Sequence, residues 1–230
     1  MSAPSPRPLA TSVHKGHYFD LLLGISALVL VLSNIAAGKG VAFGPILTDG
    51  GFFLFPLAYI VGDILAEIYG FARARRAIIF SFCCAIFASF TFWLVIKLPA
   101  ADFYQNQQAL EAVLGPVPLI VSGSLLGYLV GQLLNSWVMV AMKEKFQGRF
   151  LVGRLMGSTL VGELADTLIF CSIAAPIIGI SNPADFLNYV VVGYLYKCLV
   201  EFLLMPLTLP VIGWFRRNEK DYRPQGAAGG

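Results

Sequence analysis

The residues of this chain that could do chemistry are carboxylates placed inside long apolar stretches. Asp63 and Glu67 are four positions apart, so a helix carries both on one face. Glu163 and Asp166, three positions apart, share a face in the same way. A carboxylate at the bilayer centre costs roughly 2.5–3.5 kcal/mol even on the permissive insertion scale. The four acids therefore predict a functional cavity, the alternative being that they hold a helix bundle together as ion pairs and hydrogen bonds.

Amide side chains occur in the same apolar stretches. Asn34 lies deep in the first stretch, and Gln132 and Asn135 share one face of the fourth. An amide offers a donor and an acceptor together, as the edge of a heterocycle requires. Carboxylates, amides and aromatic rings would suit a flat, donor-rich, neutral or cationic small molecule. The predicted substrate-binding residues are Asn34, Asp63, Glu67, Gln132, Asn135, Glu163 and Asp166.

One basic residue accompanies these acids within the apolar stretches. Lys197 lies four positions before Glu201, and the spacing predicts a pair that is either structural or part of a substrate or ion pathway. One lysine can neutralise only one or two of the acids. The others must be protonated, hydrated in a cavity or matched by a ligand, since an unpaired buried charge is unstable.

The composition indicates where these groups are located. The chain has 230 residues, of which 57% are hydrophobic and 13% charged, against roughly 25% charged residues in a soluble domain. The four cysteines have no C-x-x-C spacing and the net charge is only +3. We therefore predict an all-α polytopic membrane protein without disulfide framework, metal site or other cofactor, and without a nucleic-acid partner.

Six apolar stretches are long enough to be helical spans of a bilayer. They are Phe19–Ala37, Phe52–Tyr69, Ala77–Leu98, Val117–Met142, Leu151–Ile177 and Phe186–Phe215. We expect residues 1–18 to be a disordered tail, residues 19–215 to be the transmembrane domain, and residues 216–230 to be a second tail. The segment from Gly62 to Glu67 has a short echo from Gly162 to Asp166, which would fit two inverted three-helix repeats or could be chance.

Basic residues in the short loops set the orientation. Thirteen of the sixteen lie in the two tails and in the second and fourth loops. The opposite loops contain only Lys39 and Lys97. Both tails are therefore predicted to be cytoplasmic, as six spans require.

Several motifs together resemble the queuosine precursor transporters, also called the vitamin uptake transporter family. They are Ser33-Asn34-Ile35 followed by Lys39, Phe55-Pro56-Leu57 leading to Asp63, Glu67-Ile68-Tyr69-Gly70, Ala74-Arg75, Gly157-Ser158-Thr159, Gly162-Glu163 and Asp166-Thr167. The resemblance runs from about Phe19 to Phe215. It implies import of 7-deazaguanine bases across the bacterial inner membrane for salvage into tRNA queuosine. One carboxylate could accept both donors of a guanine-like edge, and Tyr59 or Trp137 could offer an aromatic face.

Two other classes of protein share some of these sequence features. A substrate-binding subunit of an energy-coupling-factor vitamin importer also has six helices, but it would need an ATPase module as a partner. An intramembrane enzyme is rejected, because Gly62-Asp63 and Ala165-Asp166 lack the contexts of aspartyl proteases and no other catalytic motif is present. The expected partners are the lipid bilayer and a nucleobase-like molecule, while a homodimer stays open.

The predicted orientation can be tested with single cysteines. Arg75→Cys and Gln147→Cys lie in predicted cytoplasmic loops, and Asn106→Cys lies in a predicted outer loop. An impermeant thiol reagent should label only Asn106→Cys in intact cells. The reverse labelling pattern would contradict the assignment.

Overall fold

The computed structural model describes residues 18–145 and 151–218, most of which are helical. The elements are α1 (Phe19–Ala36), β1 (Gly40–Phe43), β2 (Ile46–Asp49), a 3-10 turn (Phe52–Leu54), α2 (Phe55–Lys97), α3 (Gln107–Leu114), α4 (Val117–Lys145), α5 (Leu151–Ile177) and α6 (Pro183–Asn218). The tails predicted at residues 1–18 and 216–230 fall mostly outside the described residues, although α6 continues to Asn218.

Five segments are long and apolar enough to cross a membrane. They are Phe19–Ala36, Ala72–Lys97, Gln107–Asn135, Gly157–Ile177 and Pro183–Thr208. A further apolar segment, Phe52–Ala66, corresponds to the predicted second span and is shorter than the others. At 1.5 Å per residue it covers about 22 Å of a hydrocarbon layer of about 30 Å.

Helix α2 consists of two helical segments separated by a break at Gly70. Gly70 has φ 76° and ψ 169°, a combination that essentially only glycine adopts. The Tyr69 ring before the break lies 5.4 Å from the Phe19 ring. The Arg73 guanidinium after the break lies 5.6 Å from the same ring. Both sides of the break therefore lie beside the beginning of α1, which indicates that the chain reverses there.

Contacts further along support this reversal. Gly50 and Gly51, just before α2, lie against the backbone of Ala36 and Ser33 at the end of α1. The first segment of α2 therefore runs antiparallel to α1. Beyond the break, the Ser81 hydroxyl lies 3.1 Å from that of Ser26, so the second segment runs parallel to α1. Predicted spans two and three thus correspond to the two helical segments of α2, which are separated by a turn at Gly70.

A two-stranded hairpin follows α1 and was not predicted. Strands β1 and β2 pair antiparallel, with Gly40 opposite Asp49 and Phe43 opposite Ile46. The connecting residues are Gly44 and Pro45, and Gly44 has φ 60°, a conformation that suits the first central position of such a two-residue turn. Leu47 packs into a cluster with the end of α5 and the beginning of α6. The Gly44-Pro45 dipeptide is a turn signal, but four-residue strands are too short to give a clear alternating pattern.

The backbone at Gly70 leads to a prediction. Gly70→Ala should destabilise the protein by about 1–3 kcal/mol, because an alanine cannot adopt this φ and ψ without strain. Gly24→Ala is the control, since Gly24 lies within α1 and a Cβ there would meet nothing within 4 Å. Thermal unfolding in detergent should show a lower Tm for Gly70→Ala alone. Equal Tm values would mean that the break does not depend on glycine.

Candidate functional site

A cavity of about 450 Å³ lies among α1, α2, α4, α5 and α6. Six of the seven residues predicted to bind a substrate line it: Asn34, Asp63, Gln132, Asn135, Glu163 and Asp166. The side chain of the seventh, Glu67, lies outside the described part of the structure. Lys197 and Glu201 line the same cavity. The residues singled out from five separate stretches of sequence are thus brought together at one place.

Lys197 makes a charged hydrogen bond in the wall of this cavity. Its side chain is buried, and its Nζ donates a hydrogen bond to Oδ2 of Asp166. The same Nζ lies 3.7 Å from Oε2 of Glu163. The face of the Phe55 ring is 5.2 Å from the ammonium on another side. The single ammonium of Lys197 on α6 therefore forms ion pairs with both acids of α5.

The prediction that Lys197 pairs with Glu201 is wrong. Among the described residues, the ion pairs of Lys197 are with Glu163 and Asp166. The i, i+4 spacing puts Lys197 and Glu201 on one face of α6, and that face meets α5, where two carboxylates converge. A lysine that approaches both acids offsets more negative charge than one that folds back along its own helix.

The cavity wall is strongly acidic. Among the described lining residues, five are acids (Asp49, Asp63, Glu163, Asp166 and Glu201), and the only base is Lys197. Asp63 and Glu201 have no ion pair or hydrogen bond among the described residues. Glu201 lies close enough to both Asp63 and Glu163 to interact with them electrostatically. The wall therefore favours a ligand that donates hydrogen bonds or carries positive charge.

Asn34 is positioned by its own helix. Its side chain is 3% exposed, and its Nδ2 donates to the carbonyl of Leu30 at 2.8 Å. The neighbouring Ser33 hydroxyl donates to the same carbonyl at 3.0 Å. The bond to Leu30 fixes the amide plane of Asn34 and leaves its oxygen available as an acceptor.

A row of glycines on α4 allows α5 to approach closely. A Cβ placed on Gly127 would lie 2.5 Å from Oδ1 of Asp166, and one on Gly131 would lie 2.8 Å from the carbonyl of Gly162. Gly162 in turn faces the Cβ of Asn135, which a side chain on Gly162 would meet at 2.9 Å. Asp166 and Asn135 therefore depend on these contacts for their positions. The spacing of Gly123, Gly127 and Gly131 is a small-residue packing pattern that our sequence interpretation did not use.

Of the two aromatic residues predicted to face the substrate, only one lines the cavity. Tyr59 lines the cavity, as the substrate interpretation requires. Trp137 is 67% exposed and is not among the lining residues, so its predicted role as an aromatic face is wrong. Its position on α4 turns it outward, towards the surface that lipid would cover. The other aromatic lining residues are Phe55, Phe82, Tyr128 and Phe170.

The hairpin supplies an acid that the sequence did not reveal. Asp49 is 5% exposed, and it accepts hydrogen bonds from the Tyr189 hydroxyl at 2.6 Å and from the Gly51 amide at 2.8 Å. Burial raises the pKa of the Asp49 carboxyl, and the hydrogen bond from Tyr189 opposes that shift. Because Tyr189 is 140 positions away, no local pattern could have predicted the pair.

Further hydrogen bonds attach the hairpin to α6. The amide of Leu47 donates to Oδ1 of Asn188 at 3.0 Å, and Nδ2 of Asn188 donates to the carbonyl of Pro45 at 2.8 Å. The Tyr196 hydroxyl donates to the carbonyl of Phe52 at 3.2 Å, just beyond the hairpin. Since Asp49 and Gly51 line the cavity, these bonds fix one part of its wall to α6.

Comparison with known proteins identifies the family. Residues 49–211 match the family described as "Putative vitamin uptake transporter". The chain belongs to this family. The match extends from the last residue of β2 through most of α6, so it includes every acid of the cavity. Members of the vitamin uptake transporter family are transporters rather than enzymes, and the apolar helices identify the chain as an integral membrane protein.

Two curated relatives have more specific names. A Bacillus subtilis protein named "Probable queuosine precursor transporter" is 32% identical over 178 residues, which is 76% of each chain. An Escherichia coli protein named "Queuosine precursor transporter" is 28% identical over 189 residues, covering 81% of this chain and 80% of its own. No solved structure matches this vitamin uptake transporter.

The observed pairing of Lys197 leads to a prediction. Lys197→Met leaves the partly buried carboxylate of Asp166 without its counter-charge and should cost about 3–5 kcal/mol. Adding Asp166→Asn should restore much of the lost stability, because the closest acid is then neutral. Thermal unfolding in detergent measures both effects. Lys197→Met combined with Glu201→Gln is the matched control, and recovery in that variant instead would contradict the pairing with α5.

Proposed function

We propose that this transporter imports queuosine precursors, namely 7-deazaguanine bases, across the bacterial inner membrane. The observation that carries the proposal is the convergence of acids, amides and aromatic rings on one cavity of about 450 Å³. The names of the two relatives support the same substrate class. The imported base would then enter the salvage route to tRNA queuosine.

Asp63 is the acid best placed to read the base. A guanine-like edge presents a ring N–H and an exocyclic amine, and one carboxylate can accept both as parallel hydrogen bonds. Asp166 is already engaged by Lys197, whereas Asp63 has no ion pair among the described residues. Tyr59 lies one helical turn before Asp63 and lines the same cavity, so its ring could stack on the base.

The amides would complete recognition from the other helices. Asn34 on α1 and Gln132 and Asn135 on α4 line the cavity. Gln132 and Asn135 can donate to the 6-oxo group or to a ring nitrogen acceptor of the base, and the available oxygen of Asn34 can accept from one of its donors. In this arrangement the base lies between α2 on one side and α1 and α4 on the other.

Six spans with both tails in the cytoplasm form part of this proposal. The reversal at Gly70 supports counting the shorter segment Phe52–Ala66 as a span. The first segment of α2 begins beside the end of α1 and returns towards its beginning, whereas α5 ends where α6 and the hairpin meet. The two related acid motifs thus lie on helices of opposite direction, as inverted repeats require.

Direct binding tests the substrate class and the role of Asp63. The purified chain should bind a 7-deazaguanine base in preference to guanine. Asp63→Asn should bind it about 10–100-fold more weakly, because an amide nitrogen then faces the donors of the base, a loss of about 1–3 kcal/mol. Asp102→Asn is the control, since Asp102 is exposed and lies outside the cavity lining.

Reconstitution separates the alternatives. The single chain in liposomes should take up the base without added protein. Uptake that requires an ATPase module would instead identify a subunit of an energy-coupling-factor importer. No binding of any 7-deazaguanine base by the folded wild-type chain would contradict the proposed substrate class.

A further inference from the structure

We infer that import is coupled to a proton that is carried by Glu163, with Lys197 as the group that responds to it. This inference rests on the proposed function, because the base is the molecule that the proton would drive. The ion-pair group formed by Lys197, Asp166 and Glu163 carries the argument. We call it the Lys197 cluster.

The Lys197 cluster is asymmetric. Lys197 makes its hydrogen bond to Asp166, while its Nζ stays 3.7 Å from Oε2 of Glu163. That Oε2 atom is buried and has no hydrogen-bond partner among the described residues. An ionised carboxylate oxygen in this position would lack the hydrogen bonds that buried charges require. A neutral Glu163 beside a complete Lys197–Asp166 pair fits the observed contacts.

The groups around Glu163 favour a bound proton over a free charge. The titratable groups that face it are Tyr59 from α2, Asp166 from its own helix, and Tyr194, Lys197, Cys198 and Glu201 from α6. Lys197 is the only base in this set, and it is shared with Asp166. From α4 the nearby cavity residues are the uncharged amides Gln132 and Asn135. With Glu163 ionised, two carboxylates would compete for one ammonium, and Glu201 would add repulsion.

The same surroundings argue against a metal cation such as sodium. A sodium ion on Oε2 of Glu163 would lie close to the Lys197 ammonium, whose Nζ is 3.7 Å from that oxygen. At that distance the two positive charges would repel each other. Among residues 18–145 and 151–218, no group of three acid, histidine or cysteine side chains is arranged to hold a metal ion. A proton needs only one oxygen and adds no bulk.

The response of Lys197 connects the proton to a movement of helices. Glu163 and Asp166 are three positions apart on α5, so their side chains are about 5–6 Å apart at the Cβ atoms. When Glu163 loses its proton, its carboxylate competes with Asp166 for the ammonium. A shift of the ammonium from one acid towards the other changes how α6 lies against α5. Release of the proton on the cytoplasmic side would thereby accompany release of the base.

Proteoliposomes with imposed gradients test the coupling. With one proton per base, a gradient of one pH unit, acid outside, should drive up to about tenfold accumulation of the 7-deazaguanine base. A sodium gradient at equal pH should drive none. In Glu163→Gln the accumulation should not respond to the pH gradient, whatever rate of exchange the variant keeps. Glu111→Gln is the control, because Glu111 lies on α3 outside the cavity lining, and it should accumulate the base like wild type.

If Glu163→Gln no longer exchanges the base at all, a direct measurement of proton movement tests the coupling instead. A pH-sensitive dye inside the liposomes should report one proton entering with each base for wild type and, at a reduced rate, for Glu163→Asp. Base exchange by wild type without gradient-driven accumulation or proton entry would overturn the coupling while leaving the proposed function intact. Accumulation of the base driven by a sodium gradient would overturn the proton coupling as well. Absence of base exchange by wild type would count against the proposed function itself.

Discussion

The rest of this structure depends on one constraint, the burial of a single ammonium between helices. Lys197 is 7% exposed and has to be matched by acids, since an unpaired charge in this environment is unstable. Two acids of α5 meet this requirement, one by a direct hydrogen bond and one at 3.7 Å. The contact holds α5 and α6 together, but one ammonium does not neutralise the other acids of the described cavity wall. The remaining negative charge gives the cavity its chemical character.

The approach of α4 to α5 places this charge at the cavity wall. Glycines at positions 127 and 131 remove the side chains that would otherwise meet Asp166 and Gly162. Between membrane helices, packing of small residues supplies attraction that the hydrophobic effect does not, because lipid is as apolar as the helices. The close approach has a chemical consequence as well. It brings the amides of α4 to the same cavity as the acids of α5.

The sequence predicted which residues share one face of a helix, because that depends only on their spacing. Glu163 and Asp166, three positions apart, both line the cavity, and the resemblance to vitamin uptake transporters was confirmed by the family match. The sequence did not predict contacts between side chains of different helices. The partner of Lys197 lies on α5, 31 positions away, and spacing within α6 cannot indicate it. The sequence did predict a break between the spans Phe52–Tyr69 and Ala77–Leu98, and the structure has it at Gly70. It did not predict that helix resumes directly after this one residue instead of after a loop.

Helix α6 connects the two polar contacts that were hardest to foresee. Tyr189 and Asn188, near its beginning, hold the hairpin, and Lys197 lies about two turns further along. These residues lie on one segment of α6, which precedes the prolines at positions 206 and 210. That segment therefore contacts α5 through Lys197 and the hairpin through Asn188 and Tyr189. The acid wall of the cavity and the hairpin residues at its edge are positioned by the same helix.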